Sequence, residues 1–164
     1  MAKYDKSGIL NWLDENNYKY DKLEHSPVFT MEEMEIAGIT SKGDVVKNLF
    51  LRNAKGDKHY LVCVEESKQV DLNKLAMALG STRLSFASAE RLEKYLGVAQ
   101  GSVSPLAVLN DENHEVIVAF DQSVMGKERI GVHPCENTAT LFMSYKDLKK
   151  IIEGNGNKFI NIKV

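Results

Sequence analysis

Val45-Val46-Lys47-Asn48-Leu49-Phe50-Leu51-Arg52 reads as a β-strand that is apolar on both faces. Alternate residues of a strand share a face, so Val45, Lys47, Leu49 and Leu51 point one way and Val46, Asn48, Phe50 and Arg52 the other. Half-apolar faces on both sides place such a strand inside a domain. Lys47, set between Val45 and Leu49, must then reach water, pair with another group or meet a ligand. Snorkelling to solvent is the commoner fate of a lysine in this position, and position alone leaves the functional reading in the minority. Asn53-Ala54-Lys55-Gly56-Asp57 follows as a turn cluster and His59-Tyr60-Leu61-Val62-Cys63-Val64 runs back, which predicts an antiparallel hairpin.

Upstream of the hairpin, Ile9, Trp12 and Leu13 recur at helical spacing through Ser7 to Asn16, and the alternating Tyr18 to Leu23 reads as a strand. Thr30-Met31-Glu32-Glu33 is a capping box, in which hydroxyl and carboxylate each satisfy a backbone donor, and Gly38 ends the helix it opens. Downstream, Asp71 and Ser88 are N-caps of helices ending at Gly80 and Gly97, with Arg83 to Phe86 a short strand between them. Leu106 to Leu109 and Val116 to Phe120, joined by Asn110-Asp111-Glu112-Asn113, predict a second hairpin. Arg129 to His133 and Thr138 to Met143 are further strands, Ser144 begins a last helix, and Phe159 to Val164 is an edge strand. Hairpins with helices scattered between them predict an α+β domain around a mixed, mostly antiparallel sheet.

At 164 residues, with 43% hydrophobic and 27% charged, the chain is expected to form one domain over 1–164 with a real core. No apolar run approaches the roughly 18 to 20 residues that cross a bilayer, so no membrane partner is expected. Met1-Ala2-Lys3-Tyr4-Asp5 opens without a signal-like core, and the expected location is the cytoplasm. A net charge of −2 carries no general nucleic-acid footprint, so any nucleic acid must be held locally. Cys63 and Cys135 lie far apart and form neither a disulfide framework nor a zinc pattern.

Few residues advertise chemistry. His133-Pro134-Cys135 puts an imidazole and a thiol two apart, as a nucleophilic cysteine with a histidine base would need, yet Pro134 makes a turn equally compatible. Cys63 reads as a core thiol, His25 and His59 as surface or capping residues, and His114 as a turn residue. Gly101-Ser102-Val103-Ser104-Pro105 offers backbone N–H groups to an oxyanion or phosphate, without the spacing of any established phosphate loop.

In register along the chain, several segments occur together: Pro27-Val28-Phe29-Thr30-Met31-Glu32-Glu33; Lys47-Asn48-Leu49-Phe50-Leu51; Leu84-Ser85-Phe86; Leu96-Gly97-Val98 with Gly101 to Pro105; and His133-Pro134 with Asn137-Thr138-Ala139-Thr140. In this order they resemble the free-standing prolyl-tRNA editing proteins of the YbaK/ProX type, relatives of the editing domain inserted in many bacterial prolyl-tRNA synthetases. The chain departs from that pattern at Gly43-Asp44-Val45-Val46, where many members carry a His-Thr pair. The resemblance implies an aminoacyl-tRNA deacylase that works without metal or nucleotide. Its substrate would be tRNA(Pro) carrying a wrong amino acid, alanine first. It implies that Lys47 is the key charged residue at the acceptor end, that Asn48 and His133 help hold the substrate, and that Gly101, Ser102, Val103, Ser104 and Pro105 border the reacting carbonyl. Phe29, Met31, Leu49, Pro134, Asn137 and Thr138 complete the implied substrate-binding set. The implied partners are the acceptor end of tRNA(Pro) and, transiently, prolyl-tRNA synthetase, with the protein a monomer or weak homodimer.

Editing has a physical reason, since a pocket built for proline cannot strongly reject a smaller apolar side chain by binding alone. The wall that refuses proline must be apolar, and Leu49, two residues after Lys47 on one strand face, is the expected wall, with a plain core leucine nearly as good a reading. Two other readings stand beside the alanine-specific enzyme. One is the same fold clearing cysteine or another residue, or acting as a hydrolase through Cys135. The other is a non-catalytic tRNA binder regulating proline metabolism.

Overall fold

The computed structural model describes residues 4–164; Met1-Ala2-Lys3, at the start of the segment read above as lacking a signal-like core, lie outside them. In chain order the elements are α1 (Lys6–Glu15), β1 (Asp21–Glu24), α2 (Met31–Ile36), β2 (Asp44–Arg52), β3 (His59–Glu65), α3 (Leu72–Leu79), β4 (Ser85–Phe86) and α4 (Ala89–Leu96). A 3-10 helix (Pro105–Asn110) follows, then β5 (Val116–Asp121), β6 (Ile130–Val132), β7 (Ala139–Met143), α5 (Tyr145–Gly154) and β8 (Phe159–Ile162). The strands form one mixed sheet in the order β1-β7-β6-β2-β3-β5-β8, with β4 also paired to β2. Among the described residues the pairings β1–β7, β2–β3, β2–β4 and β6–β7 are antiparallel, and β2–β6, β3–β5 and β5–β8 are parallel.

The expected hairpin is β2–β3, in register from Val46–Glu65 to Arg52–His59. Its turn is held by the Asn53 carboxamide, whose Oδ1 accepts from the backbone of Gly56, Asp57 and Lys58. The N-caps also form as read: Thr30 Oγ1 accepts from Glu33 N, Asp71 from Asn73 N, and Ser88 Oγ from Arg91 N.

The second hairpin does not form. Leu106 to Leu109 lie in the 3-10 helix, entered at Pro105 and capped by Ser104, while β5 pairs in parallel with β3 and β8. A short apolar run that is wholly buried carries no periodicity to separate strand from helix, and a proline at the first position favours the helical entry.

Both faces of the sheet are covered. On one side Val46, Phe50, Leu61 and Val118 pack with Ile9 and Leu13 of α1, Leu92 and Leu96 of α4, the 3-10 helix, and Leu148, Ile151 and Ile152 of α5. On the other, Leu51, Tyr60, Val62 and Val64 pack with Leu75 and Ala76 of α3, and Leu49 joins this second cluster. A third, small cluster of Val28, Ile39 and Phe142 takes in Met34 of α2 and Val45.

The join between β2 and β6 fixes the site. Only Asp44–Ile130 and Val45–Gly131 pair before the strands part, and the same edge of β2 is not paired again until Leu51 and Arg52 meet β4. At Gly43 a Cβ would lie 2.5 Å from the Arg129 carbonyl oxygen and 2.6 Å from the Phe142 ring, so the close approach at this join requires glycine.

Candidate active site

Where β2 and β6 part, a slot of about 40 Å3 is lined by Val28, Met34, Ile39, Val45, Val46, Asn48, Gly131, Val132, His133 and Thr140. Its apolar walls come from both faces of the sheet. Its polar groups are few, and each has a definable hydrogen-bonding state.

Asn48 Nδ2 donates to the Val103 carbonyl at 3.5 Å, which ties β2 to the Gly101–Pro105 loop and fixes the orientation of the amide, since the flipped form would set two oxygens against each other. Asn48 Oδ1 is buried and has no hydrogen-bond partner among the described residues. His133 Nδ1 lies 2.9 Å from the Ala139 carbonyl oxygen, which can only accept, so the proton sits on Nδ1 and Nε2 carries the lone pair. Burial holds the His133 pKa below its ordinary value; the Ala139 carbonyl opposes that shift and neighbouring His25 adds to it.

Phe29 and Asn137 form the adjoining rim. Gly101 has φ +89°, and a Cβ there would lie 2.9 Å from the Phe29 ring and 3.6 Å from Asn137 Nδ2. Phe29 is 67% exposed and rests on this bare glycine. Asn137 spends its amide on Val28, accepting from Val28 N at 3.3 Å and donating to Val28 O at 2.6 Å, so it holds a wall of the slot in place. Within the loop the Ser102 N–H is taken by Ala99 O, and Ser104 Oγ accepts from Leu106 N at the entry to the 3-10 helix that Pro105 begins. The amides of Gly101 and Val103 make no hydrogen bond among the described residues.

The structure does not bring all the expected residues together. Lys47 and Leu49 lie on the face of β2 opposite Asn48. Leu49, the expected wall, packs against the second core and is not among the residues lining the slot; the strand alternation that puts Asn48 in the slot turns Leu49 away. Lys47 is half-buried, makes no ion pair within 4.0 Å among the described residues, and acts on Glu65 and Glu66. Burial raises the Glu66 carboxyl pKa and the Lys47 ammonium pulls it back. Met31 lines a separate surface hollow with Val45, Glu65 and Glu66. Thr138 faces α1, its hydroxyl accepting from Lys6 Nζ at 3.5 Å, and its carbonyl takes His25 N–H.

Cys135 is buried at φ +65°, and burial, with Asp5 and Glu136 adding, pushes its thiol up to about 12. A thiol in that state is a poor nucleophile. Cys63 is a core thiol, as read.

Two residues set aside or passed over in the sequence belong to the site. His25 Nε2 lies 2.8 Å from Thr140 Oγ1 and its Nδ1 lies 2.8 Å from Ser26 O, while Thr140 lines the slot. No spacing rule reaches across that separation. His59, expected at the surface, is 2% exposed instead. Its ring centre lies 4.1 Å from that of Tyr95 at a tilt of 34° and stacks 5.6 Å from Phe50, and Arg91 Nη1 donates to its Nε2 at 2.9 Å.

No described helix is long and apolar enough to cross a membrane. The aminoacyl-tRNA editing domain model matches residues 25–151. The chain is 49% identical to the prolyl-tRNA editing protein ProX of Acetoanaerobium sticklandii, over 94% of each chain. It is 35% identical to prolyl-tRNA synthetase associated domain-containing protein 1 of Danio rerio, over 88% of this chain and 79% of that one. A crystal structure described as a candidate trans-editing enzyme for prolyl tRNA synthetase superposes with a TM-score of 0.70 at 21% identity, covering 97% of each chain, and so shares the fold. The slot between β2 and β6, bordered by the Gly101–Pro105 loop, thus sits inside the matched region, and the chain belongs to the aminoacyl-tRNA editing domain family.

Proposed function

We propose that the protein is a trans-editing aminoacyl-tRNA deacylase that hydrolyses the ester of mischarged tRNA(Pro), with alanine as the amino acid removed. The observation that carries the choice of amino acid is the size of the slot. A cavity of about 40 Å3, walled by Val28, Met34, Ile39, Val46 and Val132, is far smaller than the roughly 150 Å3 of a cavity that admits a benzene-sized ring. It takes a methyl group and refuses a pyrrolidine ring. Discrimination by exclusion is what an editing site needs, because alanyl- and prolyl-tRNA(Pro) share ester, ribose and nucleic acid.

In this reading water attacks the ester carbonyl, helped by the vicinal ribose hydroxyl. The Gly101 and Val103 amides, whose N–H groups are uncommitted, meet the oxyanion. Asn48 and His133 hold the aminoacyl group. Lys47, unpaired on the Val45 side of the slot, takes a phosphate of the acceptor end. The buried, high-pKa Cys135 favours direct attack by water over a covalent intermediate.

The test is a single-turnover deacylation panel with alanyl-, cysteinyl- and prolyl-tRNA(Pro). Alanyl-tRNA(Pro) should be cleared fastest and prolyl-tRNA(Pro) spared. Faster release of cysteine would move the assignment to that amino acid, and binding without any deacylation would make the protein a tRNA binder.

A further inference from the structure

Within the slot the polar groups share one property: each presents an acceptor. Asn48 Oδ1 is buried and lacks a partner among the described residues, and its orientation is fixed by the Val103 carbonyl. His133 Nε2 is the ring's free nitrogen, because Nδ1–H is committed to Ala139 O. Thr140 Oγ1 is the third. The Ser26 carbonyl can only accept, so His25 Nδ1 carries the proton that bonds it, and in the neutral ring Nε2 is then a lone pair. Thr140 must give its hydroxyl proton to that lone pair at 2.8 Å, which leaves only the lone pairs of Oγ1 for the slot.

His133 and Thr140 stand one step beyond the last paired rung of β6 and β7, Val132–Leu141, and Asn48 faces them from β2. Among the described residues no carboxylate lines the slot, and every other lining residue is apolar or glycine.

We propose that Asn48 Oδ1, His133 Nε2 and Thr140 Oγ1 form the seat of the substrate's α-ammonium group. This inference rests on the deacylase reading and deepens it. An α-ammonium brings three N–H donors to three acceptors, and it sits on the same carbon as the methyl group the apolar walls enclose. A buried acceptor without a donor is costly, so Asn48 Oδ1 favours a ligand group that brings one. Neutral acceptors in place of a carboxylate have a further consequence. They hold the group by hydrogen-bond direction, so they read the number of donors on the α-carbon substituent as well as its charge. Thr140 is thereby assigned as a substrate-binding residue and His25 as a positioning residue that sets the polarity of the Thr140 hydroxyl.

The experiment compares alanyl-tRNA(Pro) with lactyl-tRNA(Pro), in which a hydroxyl replaces the α-ammonium. The enzymatic rate for each is divided by its own spontaneous hydrolysis rate, so that the intrinsic lability of the two esters cancels. The wild type should favour alanyl over lactyl by at least ~30-fold on this normalised scale. Thr140→Val should shrink that ratio toward unity, whereas Thr140→Ser, which keeps the acceptor, should preserve it. Equal normalised rates on both esters in the wild type would overturn the seat while leaving the deacylase standing. Activity on neither ester would instead remove the deacylase reading. The wild-type comparison needs no variant to fold, so it decides the matter even if Thr140→Val is unstable.

Discussion

Lowering the pH from 7 to 5 should destabilise this protein, with the buried His59 a principal contributor. Its ring is buried between Tyr95 and Phe50, and Nε2 accepts from Arg91. Burial first, then the positive charges of Arg91, Arg52 and Lys94, lower its pKa to about 4, against about 6.5 in an unfolded chain. The unfolded state therefore binds the proton more readily between those values, and stability falls as pH drops through that window. The stabilisation is complete above about pH 6.5 and exhausted near pH 4. With ~1.4 kcal/mol per pKa unit, the loss between pH 7 and pH 5 is about 2 kcal/mol, and it approaches about 3 kcal/mol at pH 4. Urea unfolding at pH 7 and pH 5, on the wild type and on His59→Gln, measures it. The glutamine keeps an acceptor for Arg91 and cannot titrate, so the difference between the two pH values should shrink by about 2 kcal/mol. An identical pH dependence in the two proteins would show that His59 takes up its proton in the folded state without penalty, and the reasoning would fail.

Three further outcomes are expected. Lys47→Ala should lower single-turnover deacylation by at least about tenfold, or ~1.4 kcal/mol, with thermal stability nearly intact; an unchanged rate in a folded variant would remove Lys47 from the site. Leu49→Ala should cost roughly 2 to 5 kcal/mol in unfolding experiments, because the side chain packs into the second core, and leave the ranking of alanyl-, cysteinyl- and prolyl-tRNA(Pro) as in the wild type. Cys135→Ser should keep its deacylation rate, and an acyl-enzyme trapped on the wild-type thiol would contradict this.

Much of the fold is legible in local chemistry. The Asn53 turn, the caps at Thr30, Asp71 and Ser88, and the glycine stops at 80 and 97 each act within a few residues, which is the range that sequence patterns cover. The parallel pairings of β5 with β3 and β8 depend on contacts between distant segments, and Leu106 to Leu109 deceived because a fully buried apolar run looks alike in either geometry. The site divides in the same way. Strand alternation already sets Lys47 and Leu49 against Asn48, yet only the resemblance drew Asn48, His133 and the Gly101 loop into one place. His25 and Thr140 escaped notice because an imidazole and a threonine far apart in sequence carry no shared pattern.

The two-rung ladder between β2 and β6 gives the slot an unusual kind of adjustability. The walls Val46 and Asn48 belong to one run of strands, and Gly131, Val132, His133 and Thr140 belong to the other. Among the described residues Asp44–Ile130 and Val45–Gly131 are the only rungs that join these runs, with the Asp44–Lys127 ion pair at 3.2 Å beside them. The gauge of the opening is therefore set by the angle at that seam as much as by the bulk of any lining side chain. Changes at Asp44 or at residues 127–130, none of which lines the slot, would alter that angle and with it the opening, while the lining side chains stay the same.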